Sequence, residues 1–90
     1  MASISIVVTH ESGLHARPGS KFVQTAVSFP CDIQVKNATT DGNFVNAKSI
    51  LSVLTLGVFQ GNEILIESNG EQENEALAAL KELIDTNFGE

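Results

Sequence analysis

The 90-residue chain has no tryptophan, no tyrosine, one cysteine and two prolines. A single cysteine, Cys31, leaves neither an internal disulfide nor a cysteine-based zinc site to hold the fold. Cys31 is therefore expected as a small buried hydrophobe. No apolar run approaches the ~20 residues that span a bilayer. Met1-Ala2-Ser3 lacks the basic and apolar regions of a signal peptide, so a cytoplasmic protein with no membrane attachment is expected. Positive charge is also scarce, with 5 Lys and Arg against 11 Asp and Glu, for a net charge of −6. Nucleic-acid affinity comes largely from basic residues neutralising phosphates, so a nucleic-acid partner is disfavoured. The acidity is local: residues 71–90 hold six acids and one lysine, which reads as the solvated face of a helix. No nucleophile elbow, P-loop or dinucleotide motif is present.

What remains is enough for one domain over residues 1–90, with 42% hydrophobic residues to build a core. Residues 4–9 alternate, with Ile4, Ile6 and Val8 on one side, as in a half-buried strand. From Ala16 the spacing becomes helical through Gly19, Phe22, Val23 and Ala26. Pro18 falls in the first turn, where a missing N–H costs nothing, and Pro30 closes the segment. A second strand spans 31–36, Asp41-Gly42 marks a hairpin, and Phe44-Val45 begins the return strand. A short helix is expected at 49–55 with Ser49 as its N-cap. Ile64 and Ile66 form the inner side of a fourth strand. Asn69-Gly70 turns the chain into a last helix, opened by Glu71, Glu73 and Glu75 and striped by Leu77, Leu80, Leu83, Ile84 and Phe88. His10 reads as a surface residue at a strand end. The order β-α-β-β-α-β-α implies an α+β two-layer sandwich whose outer sheet face is wet.

Gly13-Leu14-His15-Ala16-Arg17-Pro18 carries the chemistry. It sets a histidine at the turn between a strand and a helix, where unpartnered N–H groups and about half a positive charge favour anions. An unperturbed imidazole, with a pKa near 6.5, is largely neutral and nucleophilic at pH 7. A phosphate formed on it is labile enough to be passed on. Arg17 adds a guanidinium that can grip phosphate oxygens in pairs. Ala16 and Ser12 are expected to line the anion cradle. A lone histidine in a turn is commonly only a polar surface residue; Arg17 and Pro18 beside it, at a helix start, argue for phosphoryl transfer.

The same six residues resemble the active-site signature of the HPr family, the histidine phosphocarriers of the bacterial phosphotransferase system. Val45-Asn46-Ala47-Lys48-Ser49-Ile50-Leu51, Leu56-Gly57, Gln60-Gly61 and Glu75-Ala76-Leu77 agree with that family in order, so the resemblance covers essentially the whole chain. It implies four antiparallel strands under three helices. It also implies phosphorylation of His15 on Nδ1 by enzyme I, with phosphoenolpyruvate as the first donor, and onward transfer to an enzyme IIA domain in sugar uptake. Arg17 would steady the phosphate. The protein would be a group carrier rather than a turnover enzyme, with no metal or organic cofactor.

Ser49 matches the family's regulatory serine, phosphorylated where an HPr kinase/phosphorylase exists. It also reads simply as a cap worth about 1 kcal/mol. In a regulatory binding module, phospho-Ser49 would present the short helix to a transcription regulator. Lys21, Lys48, Ile50, Leu51 and Leu54 are the expected partner-docking residues; core packing is the alternative for the last three, of which Leu51 and Leu54 are expected to be partly exposed. The connection from Lys36 to Ser49 is long, as in nitrogen-branch relatives, so a nitrogen-branch relay or service to a dihydroxyacetone kinase stands beside the sugar route. A monomer is the simplest expectation.

Overall fold

The computed structural model describes residues 1–89. Four strands, β1 (Ala2–Val7), β2 (Asp32–Asn37), β3 (Val45–Asn46) and β4 (Glu63–Asn69), form one antiparallel sheet in the order β1-β4-β2-β3. Three helices, α1 (Ala16–Val27), α2 (Ile50–Leu54) and α3 (Glu73–Asp85), complete an open-faced α+β sandwich. β4 is central, pairing Ile66 with Ile4 on one side and with Val35 on the other.

Alternation decides which face is covered. Ile6, Val8, Ile33, Val35, Ile64 and Ile66 are all buried against the helices. Ser3, Ser5 and Gln34 are exposed on the opposite face, with Lys36 and Glu67 half-exposed there. On the helical side, α1 buries Pro18, Gly19, Phe22 and Ala26, a stripe at helical spacing. α3 lies over β1 and β4 and buries Ala76, Leu77, Leu80 and Ile84. Full burial of a side chain such as Phe22 contributes roughly 1.5–3 kcal/mol. Cys31 is buried, as expected. Among the described residues no helix is long and apolar enough to cross a membrane.

Local chemistry explains the helix ends. Ser49 caps α2, its hydroxyl accepting from the Ser52 amide at 3.4 Å. Glu73 and Glu75 occupy the first turn of α3, where the helix dipole favours acids. The Glu73 carboxylate also accepts from the Gly70 amide at 3.1 Å and pairs with the Met1 amino group at 3.1 Å. These contacts, the Gly70 amide first, hold the Glu73 carboxyl below its ordinary range.

Four expectations are corrected. The first strand ends at Val7, the last residue paired with β4; the Val8 amide instead donates to the Asn62 carbonyl at 2.9 Å. The return strand is only Val45–Asn46, and Phe44 lies outside it, under the Lys36 ammonium. Phe88 is not on the last helix: α3 stops at Asp85, and Phe88 sits in a separate turn, Asn87–Gly89, at φ 58°. His10 is buried, not exposed. Its Nδ1 accepts from the Ser12 amide at 3.0 Å, and its ring meets the Phe88 ring edge-on at 5.6 Å.

Candidate functional site

The loop between β1 and α1 is held at both ends. Leu14 is fully buried, and its amide donates to the Val58 carbonyl at 3.2 Å. Gly13 makes that approach possible: at φ +61°, a Cβ there would stand 2.1 Å from the Val58 carbonyl oxygen. On the other side, Gly19 lets α1 start tight against the loop, since its Cβ would fall 2.3 Å from the Leu14 carbonyl oxygen. Between these anchors the chain turns a sharp corner. His15 is extended (φ −97°, ψ 160°) and serves as the N-cap position, while Ala16 is left-handed at φ 54°. That conformation costs a residue with a Cβ roughly 1–2 kcal/mol.

The corner sets out the groups that a phosphate needs. His15 is half-buried, and its amide donates to the Ser12 carbonyl at 3.1 Å. Its side chain caps nothing. Nε2 is enclosed without a hydrogen-bond partner, which leaves Nδ1 as the ring nitrogen open to a visitor. Ala16 and Arg17 follow at the first two helical positions, both exposed. Neither amide has a partner among the described residues, as expected for the first turn of a helix. Pro18 follows and offers no N–H.

Every lysine is engaged: Lys21 donates to the Phe88 carbonyl at 2.6 Å, Lys48 to the Phe29 carbonyl at 2.7 Å and Lys81 to Asp85, while Lys36 forms an ion pair with Asp41 at 3.9 Å. Arg17 is the one cationic side chain without a hydrogen bond or ion pair among the described residues. An uncommitted guanidinium one residue inside a helix start is poised for an anion.

The chain belongs to the HPr family. Residues 2–86 match the family model described as the PTS HPr component phosphorylation site. The phosphocarrier protein HPr of Pseudomonas aeruginosa is 39% identical over 90 residues, spanning 100% of this chain and 98% of that one. HPr from Thermoanaerobacter tengcongensis superposes with a TM-score of 0.94 at 44% identity, covering 100% of this chain and 98% of the other. HPr from Bacillus anthracis gives a TM-score of 0.85 at 37% identity over 92% and 95% of the two chains. The chain is thus an HPr-type phosphocarrier of the phosphotransferase system.

The remaining residues singled out in the sequence are not all gathered at this corner. Ser12 contributes its backbone, donating to His10 and accepting from His15. α2 packs against α1, and Ile50 Cδ1 lies 3.7 Å from where a Gly19 Cβ would be. Ser49, one residue earlier, is half-buried. Leu51 is 75% exposed, Ile50 borders on exposed and Leu54 is half-buried, whereas Val53 points into the core. The Lys48 ammonium is drawn to Phe29, beyond the far end of α1, a helix of 12 residues and so about 18 Å long.

Three residues that the sequence did not single out shape the site. Phe59 places its ring 5.2 Å from that of His15. Asn37 is wholly buried and donates to the Leu56 and Gly57 carbonyls and to Asn62 Oδ1. Asn62 Oδ1 in turn accepts from the Phe59 amide at 2.9 Å. The only sequence signal for Phe59 was an aromatic between two loop glycines, Gly57 and Gly61.

Proposed function

We propose that His15 is the phosphoryl acceptor, charged by phospho-enzyme I and discharged to an enzyme IIA domain during sugar uptake. The Nδ1 lone pair attacks phosphorus in line while the donor's own N–P bond breaks. The three phosphoryl oxygens then meet the free amides of Ala16 and Arg17 and the Arg17 guanidinium. Such transfer depends chiefly on positioning and charge stabilisation, which a fixed corner can supply without a cofactor. The observation that carries this reading is the open Nδ1 beside two unpartnered amides and an uncommitted arginine. The exposed Leu51 and bordering Ile50 offer an apolar surface next to that corner for both partners, with Leu54 at its margin. Incubation with enzyme I and phosphoenolpyruvate should place one acid-labile phosphate on the protein. Phosphate retained by His15→Ala would refute the assignment. Substituting nitrogen-branch proteins or a phosphotransferase-dependent dihydroxyacetone kinase in the same assay separates the branches by transfer rate.

A second role rests on Ser49, whose half-buried hydroxyl caps α2 beside Ile50. Phosphate there would add roughly −1.5 to −2 charge at the margin of the apolar surface and change which partners it admits, a transcription regulator among them. An ATP-dependent HPr kinase should load one phosphate that Ser49→Ala cannot take. Unaltered partner binding after loading would end this reading. The carrier is taken to act as a cytoplasmic monomer, although relatives described as dimers exist, HPr from Thermoanaerobacter tengcongensis and Crh from Bacillus subtilis. Sedimentation should show one 9.6 kDa species; a species of twice that mass would replace the monomer.

A further inference from the structure

Phe59 is 63% exposed, yet the loop that carries it is hydrogen-bonded on several sides. The Val58 carbonyl receives the Leu14 amide, the Gly61 amide donates to the Val8 carbonyl at 2.7 Å, and Gln60 Nε2 donates to the Thr9 carbonyl at 3.1 Å. From beneath, Asn62 holds the Phe59 amide and is itself held by buried Asn37 at 3.2 Å. All this fixes one exposed aromatic ring 5.2 Å from the imidazole of His15, tilted by 43°. An exposed phenylalanine gains little from burial, so core packing does not account for it. What it adjoins is a histidine whose Nε2 is enclosed and unpartnered.

We propose that Phe59 is a positioning residue that closes Nε2 of His15 and so confines phosphoryl acceptance to Nδ1. The two ring nitrogens of a free imidazole are both nucleophilic when unprotonated. A phosphate on Nε2 would point away from the amides of Ala16 and Arg17 and be lost from the relay. With its backbone held, an aromatic ring 5.2 Å from the imidazole would remove that outcome by exclusion and limit the rotation of the imidazole.

The inference rests on His15 as acceptor but not on any protein partner, so its test uses potassium phosphoramidate alone. In that reaction the ring lone pair forms the new N–P bond, the reagent's N–P bond breaks, and ammonia leaves. The phosphorylated nitrogen is read from histidine 15N and 31P NMR. The native protein should carry phosphate on Nδ1 only. Phe59→Ala should yield the Nε2 product in an amount comparable with Nδ1, together with doubly phosphorylated ring. Phe59→Leu, which keeps apolar bulk at the same place, should restore the Nδ1 preference. Amide spectra of both variants, unchanged outside the two loops, separate this effect from misfolding. Exclusive Nδ1 product in folded Phe59→Ala overturns the role of Phe59 while leaving His15 as acceptor. No phosphate on His15 in the native protein overturns both.

Discussion

Replacing Gly19 with alanine sets two effects of opposite sign against each other. Alanine is favoured over glycine inside a helix by about 0.5–1 kcal/mol, so propensity alone makes Gly19→Ala stabilising. The structure puts the new Cβ 2.3 Å from the Leu14 carbonyl oxygen, more than 1 Å inside ordinary contact. Leu14 cannot yield easily, because its side chain is fully buried and its amide is tied to Val58. Overpacking of this kind costs roughly 1–3 kcal/mol, and it outweighs the propensity gain. The net expectation is a loss of about 1–2 kcal/mol, which for a domain of this size lowers Tm by roughly 4–16 °C. Urea denaturation should show a lower midpoint at unchanged slope. Displacing Leu14 also moves His15, so the rate of phosphorylation by enzyme I should fall with the stability. A variant more stable than the native protein and phosphorylated at the native rate would show that the tight start of α1 does not constrain the site.

Two further outcomes follow from the helix ends. Ser49→Ala removes the acceptor for the Ser52 amide and should cost about 0.5–1 kcal/mol in denaturation, with His15 still phosphorylated; no loss would show that the cap is dispensable. Glu73, whose carboxyl is held below its ordinary value mainly by the Gly70 amide and then by the Met1 amino group, contributes stability present above that ordinary value. The contribution is lost as pH falls through the lower folded-state value. Glu73→Gln should therefore be less stable than the native protein near neutral pH and converge with it in acid; a constant difference would rule out the carboxylate's contacts as the source.

The sequence was legible where structure follows from neighbours in the chain. Alternation marked the inner faces of β1, β2 and β4, helical spacing marked Phe22 and Ala26, and the Ser49 cap stood where α2 begins. It misled where a distant residue decides. Val8 leaves β1 because β4 begins pairing only at Glu63. His10 is buried by Phe88, which is itself freed from the helical stripe by left-handed backbone at Asn87 and Phe88. In the site, the motif around His15 and Arg17 was readable as a run. Phe59, Asn37 and Asn62 were not, because they meet the motif only after β4 has brought their loops alongside it. Lys21 and Lys48 looked like free charge, yet each reaches across the fold to a carbonyl.

The central place of β4 bears on how the protein comes to exist. β1 is made first, but both its pairing and the brace behind His15 come from residues 57–69. A nascent or truncated chain that stops short of them has no complete sheet and no fixed corner. Most of the chain must therefore be synthesised before the corner that holds His15 is fixed.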